Sequence, residues 1–132
     1  MNNEGNVEFI QSVYAHFGSG DVQSVLDAMT NDVDWHLLGP EEMSLGGRRQ
    51  GREEVARFFA TIGAELDVEA FEPRRFMSSD DRVIVEGRER MRVRKTGRAY
   101  DVQWVHVFTI RDGKIASYRE YTDTAAVLAA NR

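Results

Sequence analysis

From Tyr100 to Asp123 the chain reads YDVQWVHVFTIRDGKIASYREYTD: two β-favouring runs on either side of Arg111, Asp112 and Gly113. Asp-Gly between such runs is a strong hairpin signal. Alternation places Trp104, His106 and Phe108 on one face of the first run and Gln103, Val105 and Val107 on the other. A Trp and a His on the aromatic-rich face mark a buried surface with polar chemistry in it. The second run can join in two registers. A two-residue turn puts Ser117, Arg119 and Tyr121 beside His106; a three-residue loop with a bulge at Gly113 puts Tyr118, Glu120 and Thr122 there. A slip of one residue exchanges the whole set, and neither turn preference nor apolar pattern decides between them.

The preceding stretch, 82–94, is equally two-sided. Even positions carry Glu86, Arg88, Arg90, Arg92 and Arg94; odd positions carry Val83, Val85, Gly87, Glu89, Met91 and Val93. Unpaired charge is costly to bury, so the odd face turns inward and Glu89 is its only charge. A buried carboxyl of this kind either pairs with an arginine or sits in a pocket with its pKa raised by desolvation. The arginine row reads as a solvated face with cross-strand acidic partners such as Asp101 or Asp123. Net charge is −5, and no aromatic side chains interleave with the row, so nucleic-acid binding is not expected.

Upstream, apolar spacing predicts helices. Val7, Ile10, Val13, Tyr14 and Phe17 form a stripe over 7–17, and Gly18-Ser19-Gly20 stops it. Asp21 caps a second helix over about 22–30, ended by Asn31-Asp32. A short strand, 33–38, shows Val33, Trp35 and Leu37 on one face. Residues 39–51 read as a loop, and a third helix spans 52–63 with Val55, Phe58, Phe59 and Ile62 as its stripe. Strands are expected at 67–77, 82–94, 98–110 and 114–122, then a short helix at 125–130. Helices first and an antiparallel meander afterwards make an α+β chain, and 132 residues suit one domain.

The chain has no Cys, no basic and apolar leader, and no run approaching a membrane span, so a cytoplasmic protein without membrane contact is expected. His16, His36 and His106 show no metal-ligand spacing, and neither a phosphate loop nor a nucleophile elbow occurs. No metal or cofactor is expected.

Three segments taken in order, YAHFGSGDVQSVLDAMTNDVDWHLLGP, RQGREEVARFF and TGRAYDVQWVHVFTIRDGKIASYREYTD, resemble the SnoaL-like branch of the nuclear-transport-factor-2-like superfamily over residues 6–124. The resemblance implies a cone in which three helices close a strongly curved antiparallel sheet around an apolar pocket. It also implies a homodimer through the outer sheet face. Members include polyketide cyclases, ketosteroid isomerase, limonene epoxide hydrolase and plain ligand-binding domains. Aligned on TGRAYDVQWVHVF and YREYTD, the epoxide hydrolase Asp–Arg–Asp set falls on Glu89, Gly87 and Glu120, and its water-holding Tyr and Asn fall on Trp35 and Leu37. The carboxylates are kept in type, while the arginine and the water site are not. The isomerase's base falls on Leu37, its oxyanion Tyr on Val13 beside Tyr14, and its oxyanion Asp on His106. The alignment favours the bulged register, which would set Trp104 opposite Glu120 and His106 opposite Tyr118.

These readings name Glu89, Glu120 and His106 as candidate catalytic groups. Tyr14, Phe17, Trp35, Leu37, Phe58, Met91, Val102, Trp104, Tyr118 and Thr122 are the candidate ligand-binding residues. Two carboxyls and an imidazole in an apolar pocket can divide into an acid and a base. The expected chemistry is proton transfer next to a carbonyl, cyclisation or addition of water, on a small apolar molecule. A ligand-binding protein without chemistry, and an association domain working through Val105, Val107, Tyr121 and the arginine row, are the alternatives.

Overall fold

The computed structural model describes residues 3–132. Ten elements follow one another: α1 (Asn3–Gly18), α2 (Val22–Asp27), β1 (Met29–Leu37), β2 (Gly47–Gln50), α3 (Arg52–Glu65), β3 (Leu66–Ser79), β4 (Arg82–Val93), β5 (Ala99–Arg111), β6 (Lys114–Thr122) and α4 (Thr124–Ala130). The strands form one curved, unclosed sheet in the order β2-β1-β6-β5-β4-β3. Neighbours are antiparallel except β1 and β6, which run parallel. Helices packed on one face of this sheet make the α+β cone.

Several boundaries move from their expected places. The second helix ends at Asp27, and Asn31 and Asp32 lie inside β1. Asp21 does cap that helix, accepting a 3.1 Å hydrogen bond from the Ser24 amide. The expected loop 39–51 contains β2, whose Arg48 makes a two-pronged contact with Asp34 on β1, at 2.9 and 2.7 Å. Gly-Arg-Arg-Gln has no apolar alternation, so only its partner strand makes it β.

Both sheet edges are managed. β2 is four residues long, and β3 carries Pro73, tolerated because β3 has a neighbour on one side only. β3 also shifts register against β4 between Val68 and Ala70 and between Pro73 and Arg75. Such bulges bend a strand and increase its twist, which helps wrap the sheet around the core.

The odd face of β4 is buried from Val83 to Val93. Its even face carries the arginines, each held by acids on adjacent strands. Arg88 meets Glu72 at 2.7 Å and Asp101 at 2.8 Å; Arg90 and Arg92 share Glu69; Arg94 meets Asp67 at 2.9 Å. Asp123, the other expected partner, instead caps α4 by accepting from the Ala126 amide at 3.1 Å.

The hairpin between β5 and β6 resolves the register differently from either expectation. Asp112 and Gly113 both have positive φ, 53° and 74°, so the turn has two residues. Arg111 pairs with Lys114 and Ile110 with Ile115, but Thr109 pairs with Ser117. The extra residue is therefore Ala116, inside β6 rather than at Gly113. This bulge brings Tyr118, Glu120 and Thr122 to the inner face. It also advances the pairing: Trp104 lies opposite Thr122, His106 opposite Glu120 and Phe108 opposite Tyr118. The expected pairs Trp104–Glu120 and His106–Tyr118 are each displaced by one inward position.

Candidate active site

Between the helices and the concave face of the sheet lies a cavity of about 110 Å³, partly open to solvent. Tyr14 and Phe17 reach it from α1, Phe58 from α3, and Trp35 and Leu37 from β1. The sheet contributes Glu89, Met91, His106, Tyr118, Glu120 and Thr122. The three candidate catalytic groups thus share one cavity wall with eight of the ten candidate ligand-binding residues.

Val102 and Trp104, expected in the wall, lie outside it. Val102 packs in a separate cluster with Leu66, Met91, Val93, Tyr100 and Ala130. Trp104 sits beside the His106 ring, 3.7 Å between centroids and 7° from parallel, and is itself 2% exposed. It backs the imidazole rather than facing the cavity.

Sequence reasoning missed other wall residues. Tyr100 shares the inward parity of Trp104 and His106 along β5, so the alternation already pointed to it. Phe59 and Ile62 belong to the α3 stripe that includes Phe58. Met43 and Leu45 come from the segment before β2, where no periodicity signals them.

Aromatic stacking fixes much of the wall. Trp35 and Tyr118 face each other at 3.8 Å and 15° across the parallel β1–β6 pair, where they are direct partners. Phe58 and Phe59 close on Trp35 at 5.9 and 5.7 Å. These contacts come from α3 and two strands at once, so no local signal specifies them.

The polar groups are buried and differ in charge. His106 is 4% exposed, and Glu89 and Glu120 are 9% each. His106 Nε2 lies 3.4 Å from Glu120 Oε1, and Nδ1 lies 2.8 Å from the Tyr14 hydroxyl. Burial lowers the His106 pKa more than its bond to Glu120 and that residue's charge raise it, so the ring is neutral at pH 7. Glu89 is pushed up to about 8, by burial first and by the charge of Glu120 second. It therefore stands as a carboxylic acid at neutral pH. Burial and nearby carboxylate charge also raise Tyr14, Tyr100 and Tyr118, which stay phenols.

A protonated carboxyl, Glu89, and a second carboxyl, Glu120, in contact with His106 thus line one apolar space, an arrangement that suits acid–base chemistry. Among the described residues, no three His, Cys, Asp or Glu are grouped to hold a metal ion. A side chain at position 87 has no room, because an added Cβ would overlap the Trp104 ring and stand 2.6 Å from the Glu72 carbonyl oxygen. An arginine there, as in the epoxide hydrolase pattern, is excluded.

Helices closing one face of a curved, unclosed six-stranded sheet make the nuclear-transport-factor-2-like fold. Within that class the chain belongs to the SnoaL-like domain family, whose model matches residues 10–118. It is similar to a nuclear-transport-factor-2-like protein from Burkholderia xenovorans LB400. That structure is 30% identical, covers 100% of this chain and 99% of its own, and has a TM-score of 0.90. It is also similar to TerC, crystallised with polyporic acid, at 31% identity, with 96% and 97% coverage and a TM-score of 0.83. Bal32a, from a soil-derived mobile gene cassette, is 28% identical over 94% of both chains, with a TM-score of 0.78.

Proposed function

We propose that this protein is an acid–base enzyme for a small apolar carbonyl compound, an isomerase, cyclase or hydrolase working with its own side chains. One observation carries the reading: Glu89, its pKa pushed up to about 8, and Glu120, 3.4 Å from His106 Nε2, line the same apolar cavity. The Glu120 carboxylate takes a proton from the carbon next to a carbonyl. The Glu89 carboxyl gives its proton to the carbonyl oxygen as the C–H electron pair moves in, leaving an enol. Return of the enol proton to Glu89, with delivery of the Glu120 proton to a different carbon, completes an isomerisation. The similarity to TerC, crystallised with polyporic acid, supports a small organic occupant.

The test is hydrogen exchange in D2O with a panel of cyclic enones, β-diketones and hydroxyquinones, read by mass spectrometry. Wild-type protein should accelerate deuterium uptake. Glu120→Gln and Glu89→Gln should each slow it by about 100-fold or more, the usual worth of a positioned acid or base. Equal rates for all three proteins on every exchanging compound would end the catalytic reading.

Trp104 over Gly87 favours a second reading, ligand binding without chemistry, because it removes the arginine one family chemistry needs. Saturable binding of a panel compound with no added exchange would establish it. The outer sheet face is proposed as the contact between two copies, with Tyr121 43% exposed and sharing a surface hollow with the ion-paired Arg74 and Arg75. A monomer by light scattering at high micromolar concentration would refute that contact.

A further inference from the structure

His106 is held at both ring nitrogens by groups from different layers of the fold. Tyr14 on α1 meets Nδ1 at 2.8 Å, and Glu120 on β6 meets Nε2 at 3.4 Å. Trp104 fixes the ring plane by stacking at 3.7 Å. Tyr118 on β6 adds an edge contact, with ring centroids 4.9 Å apart. The titratable groups around the imidazole are Tyr14, Tyr118 and Glu120, with Glu89 and Tyr100 sharing the cavity wall.

A neutral imidazole has one N–H and one lone pair, and its neighbours select the tautomer. A carboxylate can only accept, so Glu120, acting as the base proposed above, favours the hydrogen on Nε2. Nδ1 is then a bare acceptor, and it needs a donor. The Tyr14 phenol, kept protonated by burial, is that donor. In the opposite tautomer, Nδ1–H would point at the Tyr14 oxygen and the Nε2 lone pair at Glu120. That is repulsive unless the Glu120 carboxyl gains a proton, and a protonated Glu120 is no base.

We propose that Tyr14 is a positioning residue: its hydroxyl donates to His106 Nδ1, favours the Nε2–H tautomer and so presents an N–H to Glu120 on the cavity wall. The tautomer rests on the contacts at the two ring nitrogens and on the Tyr14 phenol as donor; its consequence for turnover rests on the proposed role of Glu120 as base.

The experiment is long-range proton–nitrogen NMR on 15N-labelled protein carrying His16→Gln and His36→Gln, which leaves the His106 ring as the sole imidazole. In this background Nδ1 should resonate as a bare, pyridine-like nitrogen and Nε2 as a protonated, pyrrole-like one. Adding Tyr14→Phe removes one of the two partners that select the tautomer, so the signal should shift to a mixture of the two forms, with the amide spectrum otherwise folded. Adding Glu120→Gln instead should leave Nε2–H in place, because the amide oxygen still accepts and Tyr14 still donates. This second variant keeps the question open to measurement should Tyr14→Phe fail to fold.

A proton on Nδ1 in the background protein, an unchanged ring signal in folded Tyr14→Phe, or reversal in Glu120→Gln would each overturn the proposal. Should every probe fail to exchange deuterium while the tautomer follows Tyr14, the enzymatic reading falls and the positioning role stands.

Discussion

Trp104 occupies the space that Gly87 leaves open across the β4–β5 pair. The two residues are direct partners, and a Cβ at 87 would overlap two carbons of the indole while the Glu72 carbonyl oxygen, 2.6 Å away, blocks retreat. Trp104 in turn backs His106. A single missing side chain on β4 therefore sets where the imidazole on β5 stands.

Gly87→Ala should destabilise the protein by about 1–3 kcal/mol, the usual penalty of overpacking a core. The mechanism is local, so Trp104→Phe should recover part of that loss in the double variant. Chemical denaturation of the four proteins closes the cycle. Additive effects would mean that the indole is not what Gly87 accommodates.

Glu89 makes stability depend on pH in a known direction. Its pKa rises from 4.5 to about 8 on folding. Between those values the folded protein keeps a proton that the unfolded chain has released, so stability falls as pH rises through the window. His106 is shifted the other way, below 6.5, so below that pH the unfolded chain binds a proton the folded one refuses and stability falls as pH drops. Just below pH 6.5 the two slopes oppose and wild-type stability should change little; above it only the Glu89 slope acts and stability should decline to pH 8. Glu89→Gln removes its slope, so its gain over wild type should grow by up to about 1.4 kcal/mol per pH unit. A gain independent of pH, by thermal denaturation, would contradict this.

Among the described residues no Lys or Arg lines the cavity, while two carboxyls do. An anionic ligand would enter apolar surroundings with no counter-charge. Phenol should bind with an affinity constant from pH 5 to 7. Benzoate should bind progressively more weakly over that range and take up about one proton, seen by calorimetry in two buffers. Equal benzoate affinity at pH 5 and 7 would show that a cation reaches the site.

Asp123 caps α4, whose Val127 closes one side of the cavity and whose Ala130 packs against the Tyr100–Val102 cluster. Asp123→Ala should cost about 1 kcal/mol, typical of a lost N-cap. Hydrogen exchange of the amides at 126–130 should quicken while β4 and β5 keep their protection. Unchanged exchange would show that packing, not the cap, holds this helix.

Alternation and helical spacing were enough to find the helices, the long strands and the inward faces of β4 and β5. Glu89 was legible because an isolated charge on a buried parity stands out. β2 was not, since its four residues become a strand only through Asp34 and the rest of β1. The acids facing the arginine row were half legible: Asp101 was expected, whereas Glu69 and Glu72 were not paired until β3 lay beside β4.

The amino-acid order alone determined which side chains share a strand face, because parity is a property of neighbouring residues. It also determined that a carboxyl, an imidazole and an indole would lie inward. Tertiary structure decided which of them meet. The bulge at Ala116 set Glu120, rather than Tyr118, opposite His106, and the fold of α1 over the sheet brought Tyr14 to the far nitrogen of the same ring. The physical reason is that pairing between strands, and contact between layers, depend on energies summed over distant partners, where no single stretch of chain holds the answer.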